Sequence, residues 1–147
     1  MKYTKNQIRD GLIKASSRHA VLKAHFDTFA NSVIAQITAP QFSIKGMQAE
    51  AILEDSYFVV IFAGRELVFA FESVADSVGQ TLNGVIKCYL DKEYPTDAHG
   101  IFGEVTFNGN GETNLKSLDN PGDPVMLSQD TDALFLVLEL IYESLEK

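Results

Sequence analysis

Two apolar runs, Tyr57 to Phe62 and Leu67 to Val74, meet at Gly64-Arg65 with no loop residues to spare. A glycine at the first of two central positions supplies the positive φ of a type II′ turn, whose twist suits paired strands. The pattern therefore predicts a hairpin at the centre of an antiparallel sheet. Its first strand is apolar on both faces, with Tyr57, Val59 and Ile61 on one and Phe58, Val60 and Phe62 on the other. Its second strand puts Leu67, Phe69 and Phe71 on one face and Val68, Ala70 and Glu72 on the other. Both sides of the sheet ask for cover there, but on one side the cover need only be partial.

Upstream, the period is that of a helix. Thr4-Lys5-Asn6-Gln7 has the form of a capping box. Ile8, Leu12, Ala15, His19, Leu22, Phe26, Phe29 and Val33 then recur at alternating four and three spacing, which keeps one stripe on one face. Ala39-Pro40 ends the helix, because proline disfavours helical geometry in the residue before it. As one rod it would be about 50 Å long at 1.5 Å per residue, longer than a domain of this size is wide. Gly11 and Ser16-Ser17 are the places where it can break, and the reading favours two helices, residues 4–15 and 17–37. An unbroken helix would need a second molecule to cover its overhang, and a homodimer is expected in any case, because two-sided apolar strands and two broadly apolar helices exceed what one domain can hide.

After Phe42 the period switches to two. Met47, Ala49, Ala51 and Leu53 alternate with polar or exposed positions as a half-buried strand does, and Glu54-Asp55-Ser56 turns the chain into the central hairpin. Beyond a polar connection over 75–84, Ile86, Cys88 and Leu90 alternate with Lys87, Tyr89 and Asp91. A loop over 93–100 leads to a strand at 101–107, and Asn108-Gly109-Asn110-Gly111 turns into a short final strand through Leu115. Asp119 to Pro124 reads as an irregular loop, and a helix follows from Ser128 or Asp130 to the end. Its stripe of Leu134, Leu138, Ile141 and Leu145, with Phe135, Leu136 and Leu140 beside it, predicts burial on more than one side. The expected fold is one α+β domain over residues 1–147. It has an N-terminal helix or helix pair, a six-stranded antiparallel meander and a C-terminal helix packed on the sheet.

Net charge is −8, but its distribution is uneven. Residues 1–46 hold seven Lys or Arg against two Asp or Glu, and residues 47–147 hold five against eighteen. Either the basic helix lies on the acidic body, or each half meets a different partner. An acidic body repels phosphates and anionic lipid, so a basic protein is the expected partner and nucleic acid is disfavoured. No apolar run reaches membrane-spanning length and the basic first thirty residues lack a signal-peptide core, which points to a cytoplasmic protein without a membrane. The single cysteine fits a reducing compartment.

Motifs for chemistry are sparse. His19 and His25 are six apart rather than three or four, and His19 reads as a partly buried histidine hydrogen-bonded at a packing seam. His99 sits in a loop, where sites concentrate. Cys88 reads as a small buried hydrophobe. Gly79 to Gly84 has the spacing of a phosphate loop without its lysine, and Asp119 to Asp123 lacks the ligand alternation of a calcium loop. Asp91, Glu93, Asp97, Glu104 and Glu112 form a solvated acidic face before they form a catalytic pair. The expectation is no catalytic set, metal or cofactor.

One set of residues has the composition of an interface. Lys87, Tyr89, Asp91, Phe102, Glu104 and Thr106 are expected on one sheet face, with Glu93 beyond, and they set aromatics among charges. The order of elements resembles that of small acidic binding proteins such as immunity proteins and secretion chaperones, and more loosely that of helix-grip ligand binders. The expected function is thus a non-enzymatic interaction protein of inhibitor or immunity type. A small-molecule carrier is the alternative, and a small hydrolase using His99 the third.

Overall fold

The computed structural model of the chain describes residues 1–75, 81–90, 101–117 and 119–146. Among them lie two α-helices, α1 (Lys5–Thr38) and α2 (Asp130–Leu145), and a short 3₁₀ helix at Leu53–Asp55. The seven strands are β1 (Gln48–Ile52), β2 (Tyr57–Phe62), β3 (Arg65–Ala75), β4 (Leu82–Leu90), β5 (Ile101–Phe107), β6 (Glu112–Lys116) and β7 (Pro124–Met126). The strands lie in the sheet in chain order and each pairs antiparallel with the next. The fold is α+β, a meander with both helices on one face.

The hairpin forms where the two apolar runs meet, one residue earlier than expected. Phe62 pairs with Arg65, so Ala63 and Gly64 are the central residues. Both have positive φ, 53° and 75°, which is the signature of a type I′ turn rather than II′. The seventh strand occupies part of the stretch expected to be an irregular loop. Pro124 can open it because a first or edge position does not require its missing N–H.

The N-terminal helix does not break. All 34 residues are α-helical, opened by the capping box at Thr4 and Gln7 and closed at Ala39, whose backbone is extended as the following proline demands. Gly11 and Ser16-Ser17 therefore stay inside the helix; a helix-interior glycine costs only about 1 kcal/mol. Leu22, Phe26, Phe29, Ala30, Val33 and Ile37 are buried on the sheet. The first fourteen residues are exposed, so the N-terminal third of the rod projects past the body.

Core packing is dominated by phenylalanine. Phe26 and Phe29 of α1 meet Phe58 of β2 with ring centroids 5.9 and 5.8 Å apart, and Phe58 stacks on Phe69 at 4.9 Å. Phe71 bridges Phe26 and Phe107 at 5.5 and 6.0 Å. The Phe107 ring lies directly on Gly84 of the neighbouring strand. From α2, Ala133, Leu136, Val137, Leu140 and Ile141 enter the same core. Phe135, Tyr142 and Leu145 stay exposed, so α2 is buried on one side where two were expected.

Candidate functional site

Register fixes which side chains share the outer sheet face, the one turned away from the helices. Directly paired residues point the same way. Ile61, Val59 and Tyr57 of β2 thus stand beside Glu66, Val68 and Ala70 of β3, and Val68, Ala70 and Glu72 beside Tyr89, Lys87 and Val85 of β4. On β5 the next row is Ile101, Glu104 and Thr106. Val68 and Val85 are buried although no described helix lies over them. The centre of the face is apolar and aromatic, and Glu50, Glu66, Glu72 and Glu104 stand around it.

Lys87 is the one cation that the described residues of β1 to β5 turn to this face. Its Nζ lies 2.5 Å from Glu72 Oε1, and Glu104 is its direct cross-strand partner. The hydrogen bond to the Glu72 carboxylate raises the lysine pKa above its usual value against the opposing effect of desolvation. The charges of Glu72, Tyr89 and Glu104 push it further the same way. Lys87 is therefore locked in its charged form and offset by two carboxylates, which leaves the face negative.

Of the seven residues expected to form the interface, Lys87, Tyr89, Glu104 and Thr106 share this face. Asp91 and Glu93 lie outside the described residues. Phe102 does not join them. Cys88 pairs with Gly103 and Tyr89 with Ile101, so Phe102 is the extra residue of a β-bulge, and Ile101 takes the place beside Tyr89. The Phe102 ring lies 5.9 Å from the Arg65 guanidinium, whose Nη1 donates to the carbonyl of Ser144 on α2 at 2.7 Å. Strict alternation along 101–107 gives no sign of the bulge.

Elsewhere the chemical candidates are held by structural partners. His19 is exposed rather than partly buried, but it does sit at a packing seam, with Nδ1 2.6 Å from Ser73 Oγ and its ring 5.5 Å from Phe71. Among the described residues no carboxylate orients this serine–histidine contact, as a nucleophile–base pair requires. His25 Nε2 lies 2.7 Å from the Gly109 carbonyl oxygen. His99 lies outside the described residues. Cys88 is fully buried, and burial pushes its thiol pKa up to about 12. No group of three potential metal ligands occurs among the described residues, and no helix among them is long and apolar enough to cross a membrane.

A second surface went unread in the sequence. An open apolar groove of about 550 Å³ runs along the outer side of α2, between Phe135, Leu138, Tyr142 and Leu145 and the Ile44, Met47 and Phe62 side chains. The signal was present in the 135–138–142–145 spacing of three, four and three, which is that of a packing seam. The stripe 134–138–141–145 obscured it. No protein family, curated protein or solved structure matches this chain.

Proposed function

We propose that the chain is a non-enzymatic acidic interaction protein that works as a homodimer and binds a basic protein partner through the outer face of its sheet, as an inhibitor or immunity protein does. The observation that carries this reading is the composition of that face. Among the described residues it has an apolar and aromatic centre free of any helix, a ring of four glutamates, and a single lysine already neutralised by two of them. An apolar centre inside a charged rim is how interfaces are built. A rim of one sign selects a partner of the other and speeds its approach.

Two copies meeting face to face here would set glutamates against glutamates, so the face suits a basic protein better than a second copy. The carrier reading has the apolar groove on α2 in its favour, since its volume falls in the range of ligand sites. That groove is on the outside of the helix, however, while the helix–sheet interior is filled by phenylalanine rings. Partner capture from source-cell extract tests the main reading. A basic protein should bind to the wild type, weaken with salt, and be lost with Val59→Asp and with Glu66→Lys/Glu104→Lys. A captured set that ignores both variants removes the sheet face from consideration.

A further inference from the structure

The stripe that buries α1 on the sheet does not stop where the sheet does. Ile8, Leu12 and Ala15 continue the four-three spacing of Leu22, Phe26, Phe29 and Val33, but Ala15 is only half-buried and Ile8 and Leu12 are exposed. Ile8 is 41 % and Leu12 66 % exposed, and the space above Gly11 on the same side is open to 4 Å. The body begins at Arg18 and His19, which bond Leu82 and Ser73. Residues 5–17 therefore form a projecting helix about 20 Å long with an uncovered seam. Its charges are Lys5, Arg9 and Lys14 against Asp10.

The matching surface is on the same chain. Phe135, Tyr142 and Leu145 of α2 are 60, 64 and 47 % exposed and form with Leu138 a seam of three-four-three spacing along the apolar groove. Glu139, Glu143 and Glu146 flank it, and α2 carries no basic residue from Asp130 to Leu145. At sixteen residues α2 is about 24 Å long, enough for the whole projecting segment.

The projecting helix cannot reach the groove of its own molecule. It leaves the body beside Ser73 and Leu82, whereas Phe62 and Arg65 bound the groove's end of the sheet. β3 alone separates the two ends by about 35 Å over its eleven residues. We infer that the projecting N-terminal segment of α1 docks along the exposed seam of α2 in a second copy, Ile8, Leu12 and Ala15 against Phe135, Leu138 and Tyr142, with the lysines and arginine facing the glutamates. Made reciprocally, the contact forms twice and closes a two-fold pair. Two projecting helices packed on each other would instead oppose Lys5, Arg9 and Lys14 with their like.

This deepens the homodimer part of the proposed function and is independent of what the sheet face binds. Sedimentation equilibrium tests it on the full chain. Wild type should run at twice the chain mass, with an association that weakens as salt rises. Lys5→Glu/Arg9→Glu/Lys14→Glu alone, and Glu139→Lys/Glu143→Lys/Glu146→Lys alone, should each weaken it about tenfold or more. An equimolar mixture of the two should pair again, since every contact is then complementary. Leu12→Asp, at an exposed position that cannot harm the core, should give monomers. A monomeric wild type, or a pair indifferent to the α2 reversal, overturns the inference. The monomeric variants keep the whole sheet face, so partner capture by them reads the sheet-face proposal separately.

Discussion

Gly84→Ala tests the tightest contact between strands of the core. A methyl at Gly84 would lie 2.2 Å from Phe107 Cζ and 2.4 and 2.6 Å from its two ε carbons. Carbon atoms rest about 3.5–4.0 Å apart, so the ring must retreat by more than about 1 Å. It has nowhere to go: Phe107 is 2 % exposed and packs on Phe71 at 6.0 Å, which in turn stacks on Phe26. Overpacking of this kind costs about 1–3 kcal/mol, and removing a glycine from a strand returns about 0.5–1. The net loss should be about 1–2 kcal/mol, or about 2–8 °C in Tm for a chain of this length. The chain has no tryptophan, so urea unfolding followed by far-ultraviolet circular dichroism is the assay. It is run at one protein concentration, because dimerisation would link stability to concentration. Phe107→Leu should lose stability alone but relieve the clash, so the double variant should be more stable than the two losses summed, by about 1–2 kcal/mol. A neutral or stabilised Gly84→Ala, or strict additivity, would refute the close approach.

Two further perturbations follow from single contacts. The Cys88 thiol has a folded pKa of about 12 against an ordinary 9.0, so the protonated form is the stabilising one. Its contribution is complete below pH 9 and lost as pH rises from 9 to 12; at 1.36 kcal/mol per unit it amounts to about 4 kcal/mol. The wild type should lose several kcal/mol of unfolding free energy relative to Cys88→Ala over this window, and a pH-independent difference would exclude it. Arg65 ties the β2–β3 hairpin to the carbonyl of Ser144 while lying beside Phe102. Arg65→Ala should cost about 1–2 kcal/mol and speed amide exchange in the last turn of α2, with the rest of the helix unchanged.

Period-two alternation made the strands legible, and the alternation of apolar and polar positions put Phe69, Ile86 and Cys88 on the core side, whereas the first hairpin strand, apolar on both faces, gave no sign of which side Phe58 would take. What escaped was whatever depends on a neighbour. The break expected near Ser16-Ser17 rested on local propensity, but an α-helix with a capping box and a seam in register loses little at one glycine. Phe102 moved out of the row because it is itself the extra residue of a bulge in β5, between the partners of Cys88 and Tyr89, and a one-residue slip turns a side chain to the other face. The α2 stripes could not be ranked from sequence, since helix circumference alone does not say which side the sheet takes. His19 was placed at a seam correctly, but its partner Ser73 is 54 residues away and nothing in the sequence links them.

The uneven charge finds its meaning in where α1 leaves the sheet. Two of the five basic residues on α1 are engaged in the body: Arg18 donates to the Leu82 carbonyl, and Lys23 to Asp27 and the Leu53 carbonyl. Lys5, Arg9 and Lys14 have no such role, since they ride on the segment that projects beyond the body. Sequence posed two explanations, a basic helix lying on an acidic body or two halves facing different partners, and the geometry divides the helix between them. Its C-terminal two thirds lie on the sheet through an apolar stripe, for which charge is incidental. In the projecting third the same stripe has no sheet, and there charge decides which surface can cover it. A helix so short and solvated is marginal by itself. The cover it calls for must be apolar along one line and acidic beside it, which are the properties that α2 exposes and that its own chain cannot bring into reach.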